Sequence, residues 1–103
     1  MKRVIEGMCY DTEKAEKVEA WGNRLSSSDF HYCRETLYKT KNGRFFLHGD
    51  GGALTQWSEP VGNNGRGGCE KIVPMTSEEA LEWCENREVD ADTISEHFTI
   101  IDA

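Results

Sequence analysis

Tyr32-Cys33-Arg34-Glu35-Thr36-Leu37-Tyr38-Lys39-Thr40-Lys41-Asn42-Gly43-Arg44-Phe45-Phe46-Leu47-His48 is the stretch on which the fold turns. Two β-prone runs flank Asn42-Gly43, a pair that tolerates the positive φ angles of a type I′ turn, whose twist matches the flanking strands. A two-residue turn sets the register. Lys41 stands opposite Arg44, Thr40 opposite Phe45 and Tyr38 opposite Leu47 on one side of the sheet. Lys39 meets Phe46 and Leu37 meets His48 on the other. The first side is expected to meet the core, although Leu37 and Phe46 keep the second from being simply wet.

Working outward, Arg3 to Tyr10 alternates loosely around Glu6-Gly7 and reads as a short strand or tight hairpin. Lys14 to Trp21 fits either a helix or an exposed strand. After the hairpin, Gly49-Asp50-Gly51-Gly52 reads as a turn. Leu54 to Val61, with Trp57 among polar neighbours, reads as a further strand that Pro60 restricts to an edge or an end. Gly62 to Gly68 reads as a flexible loop and Glu70 to Pro74 as a short final strand.

The helical signal comes last. Thr76 followed three residues later by Glu79, just before an apolar run, is the capping-box pattern and predicts a helix over Ser77–Arg87. Ala80, Leu81 and Cys84 form its inner stripe, leaving Glu78, Glu82 and Glu85 on another face. A second helix is expected over Asp92–Phe98, burying Ala91, Ile94 and Phe98 and exposing Asp92 and Glu96. The expected fold class is α+β, an antiparallel β-sheet with an Asn-Gly hairpin covered by C-terminal helices. At 103 residues the chain suits a single domain, 1–103, and 37% hydrophobic residues suffice for one core.

The N-terminus has no apolar run of signal-peptide length and no stretch approaches the roughly 20 apolar residues of a membrane span, so a cytoplasmic protein is expected. Cys9, Cys33, Cys69 and Cys84 are then expected as free thiols. The net charge of −7 is lopsided. From Thr76 onward nine acids face one base, Arg87, while the first 75 residues carry ten acids and eleven bases. That end repels phosphate and attracts a basic protein groove.

Four other chemistries are weaker. The glycine-rich segments lack the helix start and Gly-Lys-Ser/Thr ending of a phosphate cradle. The cysteines lack paired metal-ligand spacing, with His31 and Cys33 the single close pair, so no metal and no cofactor are expected. His31, His48 and His97 are candidate bases and Cys33 or Cys69 candidate nucleophiles, but no motif joins them, and a non-enzyme is expected. Lys39, Lys41, Arg34 and Arg44, with Phe45, Phe46, Tyr32, Tyr38 and Trp57, suggest an alternative: a small nucleic-acid-binding or regulatory module that stacks bases. The overall charge opposes it.

Glu35 to Gly52, together with Tyr10-Asp11-Thr12 and Glu78-Glu79-Ala80-Leu81-Glu82-Trp83, resembles a family of small uncharacterised proteins from bacterial mobile elements and phages. The resemblance covers most of the chain and brings no catalytic residues. Proteins of this size, acidity and genetic neighbourhood include anti-CRISPR inhibitors and other anti-defence factors, which occupy a host nuclease or its nucleic-acid groove. The function expected is therefore a non-catalytic binding inhibitor. Glu78, Glu82, Glu85, Asp92 and Glu96 would meet a basic surface on a host defence protein such as a CRISPR effector subunit, with Trp57 and Trp83 supplying desolvated contact. Neither direct nucleic-acid binding nor membrane binding is favoured, and the oligomeric state is left open.

Overall fold

The computed structural model describes residues 1–62 and 65–103; Asn63 and Asn64, in the middle of the expected glycine-rich loop, lie outside the described residues. Strands β1 (Lys2–Ile5) and β2 (Met8–Asp11) form a two-stranded ribbon. Glu6 and Gly7, at φ 52° and 79°, make the turn between them, and two successive left-handed residues are what a type I′ turn requires. The main sheet is antiparallel, in the order β3 (Glu16–Gly22), β4 (Cys33–Lys39), β5 (Phe45–Gly51) and β8 (Cys69–Met75). Two short strands, β6 (Glu59–Val61) and β7 (Gly65–Gly67), pair with each other. Helices α1 (Ser77–Asn86) and α2 (Ala91–His97) complete the α+β architecture.

The register between β4 and β5 departs from the expected one by a single residue. Lys39 pairs with Phe45, Tyr38 with Phe46 and Leu37 with Leu47. The cause lies in the turn. Asn42 does not take a positive φ, whereas Gly43 does, at 82°. Gly43 N–H donates to the Thr40 carbonyl at 2.9 Å, and Thr40 N–H to the Arg44 carbonyl at 2.7 Å. Thr40 Oγ1 also accepts from Arg44 N–H at 3.1 Å. This is a three-residue loop, a type I turn followed by a left-handed glycine, and it adds one residue to the two-residue connection. Because strand side chains alternate, a slip of one exchanges the faces. Leu37 and Leu47 now share a side with Glu35 and Phe45, while Tyr38, Phe46 and His48 share the other.

Each face has its own cover. On the first, Leu37, Phe45 and Leu47 pack with Val18, Trp57 and the inner α1 residues Ala80, Trp83 and Cys84. Ile94 and Phe98 close that core from the α2 end, with the Phe98 ring stacked on Phe45 at 4.9 Å. On the second face Phe46 and Ile72 meet Tyr10 of the β1–β2 ribbon. Tyr10 and Tyr38 hold Phe46 edge-on and stacked, with ring centres 5.5 and 5.1 Å away. Of Lys14–Trp21, the part from Glu16 on resolves as strand: β3 pairs with β4 through a register shift between Lys17 and Glu19, and Val18 lies in the helix-side core.

Three expectations fail for one reason, the docking of Trp57 on the sheet. Gly49 and Gly51 belong to β5 rather than a turn, and residues 54–57 form turns rather than a strand. A Cβ at Gly49 would lie 2.1 Å from the Trp57 ring, and one at Gly51 would lie 2.2 Å from Thr55 Oγ1. Glycine in a strand here marks close approach of another segment. The third failure is Trp57 itself, which is 5% exposed and cannot serve as a surface contact. In α2, Ala91 is exposed rather than buried.

Candidate functional site

The acidic face begins with the cap of α1. Thr76 Oγ1 accepts from Glu79 N–H at 3.1 Å while Glu79 Oε1 accepts from Thr76 N–H at 2.9 Å, satisfying two otherwise unpaired donors. Ala80, Trp83 and Cys84 point into the core. At 3.6 residues per turn this leaves Glu78, Glu82 and Glu85, spaced i, i+4 and i+7, on the opposite, exposed face. Asp90 caps α2 by accepting from Asp92 N–H at 3.2 Å, and Asp92 and Glu96 stand exposed one turn apart. The edge strand β3 packs beside α2 and adds Glu16 and Glu19. Glu16 is 3.8 Å from His97.

Among the described residues, none of Glu78, Glu82, Glu85, Asp92 and Glu96 has a cation within ion-pair distance. Arg87, the one base of this end, turns inward. Its Nη2 donates to Glu35 Oε1 at 2.8 Å, and its guanidinium lies 3.7 Å over the Trp21 ring. Among the described residues these five carboxylates are therefore not offset by a paired cation.

Trp83 joins Trp57 as a correction. At 7% exposure it is a core residue, and its indole N–H donates to Glu35 Oε1 at 2.8 Å. Trp57 Nε1 donates to Glu35 Oε2 at 3.0 Å, and Gln56 Nε2 reaches the same oxygen at 2.5 Å. A buried carboxylate thus gathers two indoles, an amide and a guanidinium from segments far apart in the chain. Sequence reading missed Glu35. The available signal was its place in the alternation Cys33-Glu35-Leu37, where an inward acid demands donors from elsewhere.

Burial alone would push the Glu35 carboxyl up, but the hydrogen bonds from Trp83, Arg87 and Trp57 and the Arg87 charge outweigh it and hold it below the ordinary value. A group depressed in the folded state contributes stability above its unfolded pKa and loses it as pH falls through the folded one. The urea midpoint is therefore expected to fall on acidification below about pH 4.3, the unfolded glutamate range. In Arg87→Met, which removes the counter-charge, that acid-side loss should shrink; equal acid limbs for the two proteins would contradict this account.

Of the aromatics expected to stack bases, Phe45, Phe46 and Trp57 are buried, while Tyr32 and Tyr38 are half-buried. Phe45 and Phe46 are buried at 4% and 0%, committed to the two cores. Arg66, set among the glycines, binds Ser58 through Nε at 2.9 Å and Nη2 at 3.1 Å. All four cysteines are free, Cys84 being buried with its thiol pushed up to about 11 by desolvation and then by Glu19 and Glu85. His48 Nε2 lies 2.6 Å from Glu70 Oε1 on the sheet face shared with Tyr38 and Phe46. Among the described residues, no group of three or more metal-ligating side chains converges, and no helix is long and apolar enough to cross a membrane. Comparison with protein-family models, with curated proteins and with solved structures finds no match for this chain.

Proposed function

We propose that the protein is a non-catalytic binding inhibitor of the anti-defence class. In this reading Glu78, Glu82 and Glu85, with Asp92 and Glu96, occupy a basic surface that a host nuclease complex, such as a CRISPR effector, otherwise offers to nucleic acid. The observation that carries the electrostatic half is the ordered placement of these unpaired carboxylates on the exposed sides of α1 and α2. A field of one sign speeds encounter with a surface of the other, and its reach shrinks to about 10 Å at 0.1 M salt. With the tryptophans committed to the core, the apolar contribution falls to Ile100 and Ile101, 47% and 89% exposed just beyond α2. The anti-defence assignment is supported by the sequence resemblance, and the cytoplasm is the compartment where such a partner is met.

The test is a paired capture from cells that carry a nuclease-based defence, with partners identified by mass spectrometry. Wild-type protein is expected to retain a nucleic-acid-binding partner that added nucleic acid displaces. E78K/E82K/E85K, folded by circular dichroism, should lose at least about tenfold in affinity at low salt. Undiminished capture by the folded triple variant refutes the electrostatic reading.

A further inference from the structure

On the sheet face turned away from the helices, beside the β3 edge, lies a cleft of about 560 Å³ whose lining includes Arg24, Arg34, Tyr32, Leu25, Ser27 and Thr36. Its volume falls in the range of small-ligand sites. In a chain of net charge −7, this cleft has two guanidiniums and, among the described residues, no carboxylate in its lining. Among the described residues, neither guanidinium makes a salt bridge or a side-chain hydrogen bond.

The fold places both arginines deliberately enough to trace. Arg34 stands cross-strand from Asp50, the obvious partner, yet its side chain runs the other way. It lies over Gly22, where an added Cβ would meet Arg34 Cγ at 3.5 Å and Nε at 4.0 Å. Glycine at position 22 gives the side chain a bed leading to the edge. Glu70, the next acid along that row, is engaged with His48. Arg24 opens the connection between β3 and β4 and is fixed by Asn23, whose Oδ1 accepts from Leu25 N–H at 3.3 Å and from Cys33 N–H at 3.2 Å. Asn23 Nδ2 donates to the His31 carbonyl at 2.7 Å, which ties the far end of the same loop. Tyr32, half-buried, presents a ring beside the exposed Leu25.

We propose that this cleft binds a phosphomonoester carrying a planar ring, of nucleoside monophosphate size, with Arg24 and Arg34 on the phosphate and Tyr32 and Leu25 against the ring. Guanidinium forks match phosphate oxygens in pairs, and hydroxyls such as those of Ser27 and Thr36 complete the donor set. An aromatic ring accepts a base without reading its identity. A free mononucleotide fits better than a polymer, because each further phosphate of a strand would be brought toward a protein of the same sign.

The experiment is a two-dimensional amide NMR titration of the full chain with AMP, GMP, CMP and UMP in turn. Adenosine, inorganic phosphate and a 5′-phosphorylated oligonucleotide are the comparison arms. At least one mononucleotide is expected to shift amides in 20–36 with a Kd on the order of 10⁻⁴ M. Adenosine and inorganic phosphate should each bind at least about tenfold more weakly. Arg24→Asn with Arg34→Gln should weaken the mononucleotide by more than about tenfold. Asparagine is used at position 24 because Arg24 has φ 65°, a region that asparagine tolerates. The control Lys39→Gln/Lys41→Gln should bind as wild type does. Absence of shifts with all four mononucleotides at about a hundredfold excess over the expected Kd overturns the proposal. So does unchanged binding by the double arginine variant with an intact spectrum, inorganic phosphate binding as tightly as the best mononucleotide, or tighter binding of the oligonucleotide.

Discussion

Replacing Glu35 by leucine is expected to destabilise the fold by about 3–5 kcal/mol in urea denaturation, a large part of the stability of a domain this size. The loss of one side chain strands four nitrogen donors at once: Trp57 Nε1, Trp83 Nε1, Gln56 Nε2 and Arg87 Nη2. Three are neutral and each costs about 1–3 kcal/mol if left without an acceptor away from water. The fourth is a cation beside the core, partly offset by its 28% exposure. Arg87→Leu combined with Glu35→Leu should therefore cost less than the two single changes added together, because the double variant removes both charges. Tryptophan fluorescence reports the same event, since two of the donors are indoles. A loss below about 1 kcal/mol for Glu35→Leu would show that the donors find other acceptors and that the carboxylate is not what holds the two layers together.

Gly49→Ala should be nearly as damaging for a substitution of one methyl group, about 2–4 kcal/mol by the same measurement. The new carbon would sit 2.1, 2.2 and 2.3 Å from Cε2, Cζ2 and Cδ2 of Trp57. A flexible side chain would swing aside. This ring cannot, because its N–H is bonded to Glu35 and its faces are packed in the core. Trp57→Leu should relieve part of the cost, so the double variant should be more stable than additivity predicts. Near-additive behaviour would mean that the strand, not the ring, absorbs the strain.

The pieces of the fold that local chemistry decides were legible. Thr76 and Glu79 announce the start of α1, and Glu6-Gly7 announces a break that proves to be a turn. The two runs around Asn42-Gly43 carry the strand alternation, but the register depends on whether Asn42 or only Gly43 takes the left-handed conformation, and both loops suit the same dipeptide. Gly49 and Gly51 look like punctuation until the residues that lie on them are known, eight and four positions further along. Spacing on α1 and α2 was enough to place Glu78, Glu82, Glu85, Asp92 and Glu96 on exposed faces. It was not enough for the tryptophans. Their burial follows from Glu35, and nothing local to Trp57 or Trp83 says that an acid from the middle of the sheet will collect them.

That carboxylate also sets a timetable for the chain. The nitrogen donors to Glu35 lie 21, 22, 48 and 52 residues downstream. Closing contacts of such separation must be preceded by a loss of loop entropy, which slows folding relative to local contacts. During synthesis, strands β4 and β5 can pair early, but Glu35 in β4 stays without its cation until position 87 has left the ribosome. Until then β4 carries a carboxylate without its counter-charge, and the sheet and α1 are joined through it only when the end of α1 has arrived.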